Sequence, residues 1–199
     1  MTKIKICGLY READVDAVNA AGVDYAGFIL RFPKSHRDLT PERAAKLRRM
    51  LAPGIRAAGV FVDQPIETVL ADAALIGLDV IQLHGREDDE YISRLREKFN
   101  GKIWKAFIKE ARESAADEIL LDSGYGSGET FDWSQISFFH LKRRFILAGG
   151  LTPENLPQAI ETLHPWCVDL SSGVETDKMK DKDKIFAAVA AVRKGTSIT

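Results

Sequence analysis

Eight short strand-like runs, separated by helical patterns from end to end, confine this chain to a sheet of parallel strands joined by crossovers. The runs are Lys3–Cys7, Tyr25–Leu30, Ile55–Val62, Asp79–Leu83, Ile103–Phe107, Glu118–Asp122, Phe145–Ala148 and Cys167–Leu170. Between them apolar residues recur at helical spacing, as in Ile66, Val69, Leu70, Ala73 and Ala74, and again in Leu156, Ala159, Ile160 and Leu163. Thr40-Pro41 and Thr152-Pro153 each set a capping hydroxyl before a first-turn proline, and Gln64-Pro65 is a weaker form of that signal. A helix between two strands carries the chain back to the starting edge of the sheet, so such strands run parallel.

Two strand-to-helix turns narrow the architecture. Ala148-Gly149-Gly150-Leu151-Thr152-Pro153 and Asp169-Leu170-Ser171-Ser172-Gly173 each close an apolar run with small residues where a helical turn can begin. Glycine lets backbone approach a ligand closely, and free N–H groups at a helix start attract phosphate. On consecutive strands, these turns resemble the phosphate-binding corner after strands 7 and 8 of a (β/α)8 TIM barrel. The expected fold is therefore α/β, a single-domain barrel over residues 1–199, with a phosphorylated substrate and the chemistry on the same rim. The 199 residues, 45% of them hydrophobic, can fill one core. Typical barrels run to ~250 residues, so some helices must be curtailed. Ile108–Asp117 is barely long enough for a crossover helix, and Ser123–Gly128 is a glycine-rich loop with only a brief helical candidate behind it. Shortened helices are expected after strands 5 and 6.

The net charge is −1 with both signs interspersed, which argues against nucleic acid or an acidic membrane as partner. No apolar stretch approaches the ~20 residues of a membrane span, and no signal-peptide pattern opens the chain. Cys7 and Cys167 form no disulfide framework, and a cytoplasmic enzyme is expected. His36, His84, His140 and His164 show no metal-ligand spacing, and the two cysteines are far apart. Gly124-Tyr125-Gly126-Ser127-Gly128 lacks nucleotide-loop spacing, and Ser171-Ser172 lacks the context of a nucleophile elbow. Neither metal nor cofactor is expected. The expected state is a monomer, with a dimer through Phe138 and Phe139 as the alternative.

An ordered set of segments then resembles one family. It comprises Lys5-Ile6-Cys7-Gly8, Gly27-Phe28 with Pro33-Lys34-Ser35-His36-Arg37, Gly59-Val60-Phe61-Val62, and Val80-Ile81-Gln82-Leu83-His84-Gly85. It continues with Leu120-Leu121-Asp122, Gly126-Ser127-Gly128, Phe131-Asp132-Trp133, Ala148–Asn155 and Val168–Glu175. The chain resembles phosphoribosylanthranilate isomerase of tryptophan biosynthesis. The resemblance implies a cofactor-free Amadori rearrangement of N-(5-phosphoribosyl)anthranilate to the 1-amino-1-deoxyribulose phosphate. Two loops depart from the pattern: the stretch after Asp122 is short and holds Tyr125, and Thr176–Asp181 lacks a glycine before Lys180-Asp181.

By the resemblance, Cys7 is the base that takes the sugar-carbon proton and Asp122 is the acid that protonates the ring oxygen. A thiol of pKa ~8.5 is mostly protonated at neutral pH, so the site is expected to lower the Cys7 pKa, with Lys5 on the same strand face supplying part of the field. An ordinary aspartic acid is protonated in only ~0.1% of molecules at pH 7, so burial or the substrate must favour its neutral form. By the resemblance, Arg37 clamps the anthranilate carboxylate, a task that suits a planar fork. Ser171, Ser172 and Gly173, with Gly149 and Gly150, are expected to hold phosphate through backbone N–H groups. Asp169 shares the parity of Cys167 and Ser171. It either pairs with Lys5 inside the barrel or faces the rim and touches substrate. Gln82 and His84 share a face and line the pocket, and His84 receives no catalytic role.

Blander readings stand beside these: a buried hydrophobe for Cys7, a turn cap for Asp122, a solvated arginine for Arg37 and ordinary tight turns at the glycines. Two other functions also remain open. The related histidine-pathway isomerase typically pairs two aspartates, where this chain has a cysteine at position 7. A non-catalytic phosphate-binding barrel would need the corner but neither Cys7 nor Asp122.

Overall fold

The computed structural model describes residues 1–108, 112–122 and 143–194. Eight parallel strands close on themselves: β1 Lys3–Cys7, β2 Tyr25–Leu30, β3 Arg56–Phe61, β4 Val80–Leu83, β5 Lys102–Ile108, β6 Glu118–Asp122, β7 Phe145–Ala148 and β8 Cys167–Leu170. Each pairs in parallel with its neighbour in sequence, and closure comes from β1, which pairs both with β2 (Lys5 with Tyr25) and with β8 (Lys5 with Asp169). The expected barrel is what the chain forms. Five strands keep the bounds read from sequence, β4 shifts by one residue at its start, and β3 and β5 shift by one residue at each end.

Six helices lie among the described residues: α1 Glu12–Ala21, α2 Pro41–Arg49, α3 Ile66–Ile76, α4 Asp89–Arg96, α5 Leu156–Leu163 and α6 Lys182–Lys194. Thr40 caps α2, its side chain accepting from the Arg43 N–H at 3.3 Å. The stripe of α3 that faces the sheet is Ile66, Val69, Ala73 and Ile76, while Ala74 faces out. Residues 112–117 between β5 and β6 form no helix, in keeping with the expected curtailment. The glycine loop Ser123–Gly128, the short helical candidate after it, and Phe138 and Phe139 lie outside the described residues.

One expected helix start is displaced. α5 begins at Leu156 rather than at Pro153, because Asn155 claims the preceding turn. Its Oδ1 accepts from the Thr152 N–H at 2.8 Å and its Nδ2 donates to the Gly150 carbonyl at 2.9 Å. Thr152-Pro153 thus belongs to the turn at the barrel mouth. The helix takes Pro157 in its first turn instead.

Strand alternation sorts side chains between two cores. One set faces the helices, including Ile4, Ile6, Phe28, Ile81, Leu83, Leu121, Leu147 and Val168. The other fills the barrel, with Tyr25, Ala58, Val80, Trp104, Leu120, Ile146 and Cys167. The rings of Tyr25 and Trp104 meet edge to face at 4.9 Å, and Trp166 stands 6.2 Å from both. With that interior filled, inward-facing polar groups are left to the two rims, and Cys7 and Asp122 stand at the carboxyl ends of their strands. Among the described residues no helix is long and apolar enough to cross a membrane.

Candidate active site

The inward parity carried one step further leads to Cys7 on β1, Gln82 on β4 with His84 just beyond it, Asp122 on β6, and Asp169 on β8 followed by Ser171. All of them line one cavity of about 380 Å³, together with Gly149, Gly150, Ser172 and Gly173. Ten of the eleven residues read from sequence as site candidates therefore meet in one place. Cys7 and Asp122 stand on strands three apart around the eight-strand ring and line the same cavity.

The two turns form one corner. Gly149 and Gly150 both adopt positive φ, 86° and 64°, which a side chain would resist. A Cβ on Gly173 would collide with the Leu151 carbonyl oxygen, so the second turn can nest against the first only as glycine. Among the described residues, no backbone hydrogen bond engages the N–H groups of Gly149, Gly150, Ser172 or Gly173. Backbone donors left free by the described residues at one cavity wall suit an anion with several oxygens.

Beneath this corner Lys5 and Asp169 form the buried pair that parity allowed. Lys5 Nζ donates to Asp169 Oδ2 at 2.7 Å, with the two side chains 0% and 6% exposed. Burial alone would discharge the amine, but Asp169 and Cys7 hold the Lys5 ammonium above its ordinary value. Asp169 also lines the cavity, so pairing with Lys5 does not take it away from the rim. Its Oδ1 is buried without a partner among the described residues, as is Gln82 Oε1. Removing one partner of a buried ion pair costs ~3–5 kcal/mol. Asp169→Asn is therefore expected to lower Tm by roughly 6–20 °C in a chain of this size, measured by differential scanning fluorimetry. An unchanged Tm would mean that Lys5 is not charged in the fold.

Cys7 corrects one expectation. Burial pushes its thiol above the ordinary value, and the opposing pull of Lys5 does not cancel that. The reason is visible in the pair: Asp169 neutralises much of the lysine's field and itself works against a thiolate. Position is nonetheless well fixed, since the Cys7 carbonyl accepts from Ser171 Oγ at 3.1 Å. Asp122 is about 25% exposed on its side chain, with Oδ2 3.4 Å from His84 Nε2. His84, expected from the sequence to line the pocket without a catalytic role, thus stands beside the expected acid.

Arg37 is the candidate that does not line the cavity. Its side chain lies over Gly8, next to Cys7, in the space a Cβ would fill. Nε and Nη2 donate to the two Glu175 oxygens at 2.6 Å each. Glu175 also accepts from Lys180 Nζ at 2.5 Å, and Lys180 donates to the Ser171 carbonyl at 3.0 Å. Sequence reading missed Glu175 and Lys180. Glu175 ends the last segment that carries the resemblance and Lys180 lies in the loop whose expected glycine is absent, where Asp177 and Lys178 take positive φ (51° and 64°) to turn the hairpin that pairs them. Among the described residues no group of three or more His, Cys, Asp or Glu side chains is placed to hold a metal ion.

Comparison with known proteins agrees with this geometry. The family model of N-(5'-phosphoribosyl)anthranilate isomerase matches residues 4–191. An N-(5'-phosphoribosyl)anthranilate isomerase from Endomicrobium trichonymphae is 43% identical, over 97% of this chain and 99% of its own. Among solved structures, TrpF from Jonesia denitrificans superposes with a TM-score of 0.89 at 36% identity, covering 99% of each chain. A phosphoribosyl anthranilate isomerase in complex with reduced 1-(o-carboxyphenylamino)-1-deoxyribulose 5-phosphate superposes with a TM-score of 0.85 at 34% identity, covering 98% of this chain and 100% of its own.

Proposed function

The chain belongs to the N-(5'-phosphoribosyl)anthranilate isomerase family, enzymes of tryptophan biosynthesis, and from that premise we propose that Cys7 and Asp122 perform its acid–base chemistry on the two sides of one pentose. The observation that carries this reading is a single cavity lined by the thiol, the carboxyl and both glycine turns. It favours catalysis over a barrel that merely binds phosphate. The cysteine at position 7 separates it from the two-aspartate pattern of the histidine-pathway isomerase.

Binding comes first. The phosphate sits against the N–H groups of Gly149, Gly150, Ser172 and Gly173, with Ser171 beside them. The anthranilate carboxylate lies toward Arg37, so the sugar spans the cavity between Cys7 and Asp122, and Gln82 and Asp169 offer acceptors to its hydroxyls. Asp122 gives its proton to the furanose ring oxygen. The bond from that oxygen to the anomeric carbon breaks as the nitrogen lone pair forms a C=N bond. The resulting iminium acidifies the neighbouring carbon, and the Cys7 thiolate takes its proton. Electrons move into the new C=C bond and the C=N pair returns to nitrogen, giving an enolamine. Its tautomerisation to the ketone completes an internal redox exchange that consumes no external electron carrier.

The iminium also bears on the thiol. Burial disfavours a thiolate in the free protein, but a cation formed beside Cys7 favours it when the proton must move. Ring opening therefore prepares the second step.

The direct test is a coupled assay with freshly made phosphoribosylanthranilate, run beside growth complementation of a strain that lacks this tryptophan step. Absence of both activities would overturn the assignment. Arg37→Ala is expected to raise KM by about 10- to 100-fold, the loss of a charge-assisted pair worth ~1.5–3 kcal/mol. An unchanged KM would remove Arg37 from the binding site.

A further inference from the structure

Arg37 presents two usable edges, and among the described residues only one of them is taken. Glu175 occupies the side edge, with Nε and Nη2 each donating at 2.6 Å. Among the described residues nothing engages Nη1. A guanidinium carries five N–H donors, so the end edge still offers a second pair of parallel bonds. A substrate carboxylate can therefore dock on that edge while Glu175 stays where it is.

We propose that Glu175 is a positioning residue, holding the side edge of Arg37 so that its end edge is fixed toward the carboxylate of the substrate. The proposal rests on the reading of Arg37 as the carboxylate clamp. Three further observations support it. The Glu175 side chain is 6% exposed and pairs in register with Lys180 across the hairpin, so its own position is not free to wander. Lys180, whose side chain is 0% exposed, spans from Glu175 to the Ser171 carbonyl. The clamp and the phosphate turn are thus braced by one carboxylate. Burial works against its charge, yet Arg37 and Lys180 hold the Glu175 carboxyl below its ordinary range.

Charge counting separates this role from competition. One carboxylate between two cations leaves a surplus positive charge at the rim, so the trio still attracts a substrate with both phosphate and carboxylate groups. If Glu175 merely filled the place of the substrate carboxylate, removing it would free the fork and lower KM. A positioning residue predicts the reverse.

The test is steady-state kinetics on the full chain for wild type, Arg37→Ala, Glu175→Gln and the double variant, with Tm recorded for each. Glu175→Gln is expected to raise KM about tenfold and leave kcat within about twofold. In the Arg37→Ala background the same change should have a much smaller effect, what remains being its hold on Lys180 and the phosphate turn. A lowered or unchanged KM would overturn the proposal, as would an equal factor in both backgrounds. If Glu175→Gln does not fold, Glu175→Asp keeps the charge beside Lys180 but withdraws it by one methylene from Arg37. It should then raise KM severalfold only where Arg37 is present, and an unchanged KM would overturn the idea. An Arg37→Ala variant with wild-type KM would sink the clamp reading by itself, whatever Glu175 does.

Discussion

Cys7→Ala lowers kcat by about 10²- to 10⁴-fold, the usual contribution of one general acid or base, while Tm changes little. The thiol is small and its loss leaves no buried charge unpaired, because Lys5 keeps its bond to Asp169. Serine should not restore turnover, since a hydroxyl is a far weaker acid than a thiol. Alkylation adds an independent check with a definite sign. Burial raises the Cys7 pKa, so at pH 7 the free enzyme holds less thiolate than an ordinary cysteine does. Iodoacetamide should therefore modify Cys7 slowly at neutral pH, and the rate should keep climbing above the pH at which a free thiol levels off. A kcat loss below tenfold would remove Cys7 from the proton path. Fast alkylation at pH 7 would mean that the Lys5 field outweighs desolvation.

The barrel was legible because its signals are local and periodic. Alternation of apolar runs with helical spacing depends on nearest neighbours in sequence, and it placed β1, β2, β6, β7 and β8 to the residue. The resemblance placed Cys7 and Asp122 at strand ends and parity placed Asp169 with Ser171, and the structure has all four lining one cavity. What escaped was decided by contacts distant in sequence or by competition between polar groups. Thr152-Pro153 carries a genuine helix-start pattern, but Asn155 outcompetes it for the turn. Lys5 could be placed beside Cys7 from sequence, yet whether its field or desolvation dominates depends on how far Asp169 screens it. Glu175 was invisible as a partner of Arg37 because 138 residues separate them. Only the closed barrel brings the loop after β2 against the hairpin after β8.

Asp122→Asn should also lower kcat by about 10²- to 10⁴-fold, and here the comparison isolates proton transfer. Asparagine keeps the shape of the side chain and can still offer an N–H to the ring oxygen, so hydrogen bonding in the ground state is largely retained and KM should stay within severalfold. What it lacks is a proton to give. The fold should change little: the side chain is about 25% exposed, so solvent screens its charge. The His84 ring at 3.4 Å can adapt to either acceptor. A large fall in kcat with unchanged Tm and KM therefore belongs to the acid step alone. A loss below tenfold would mean that the ring opens without this carboxyl, and that the base side of the cavity carries the rate.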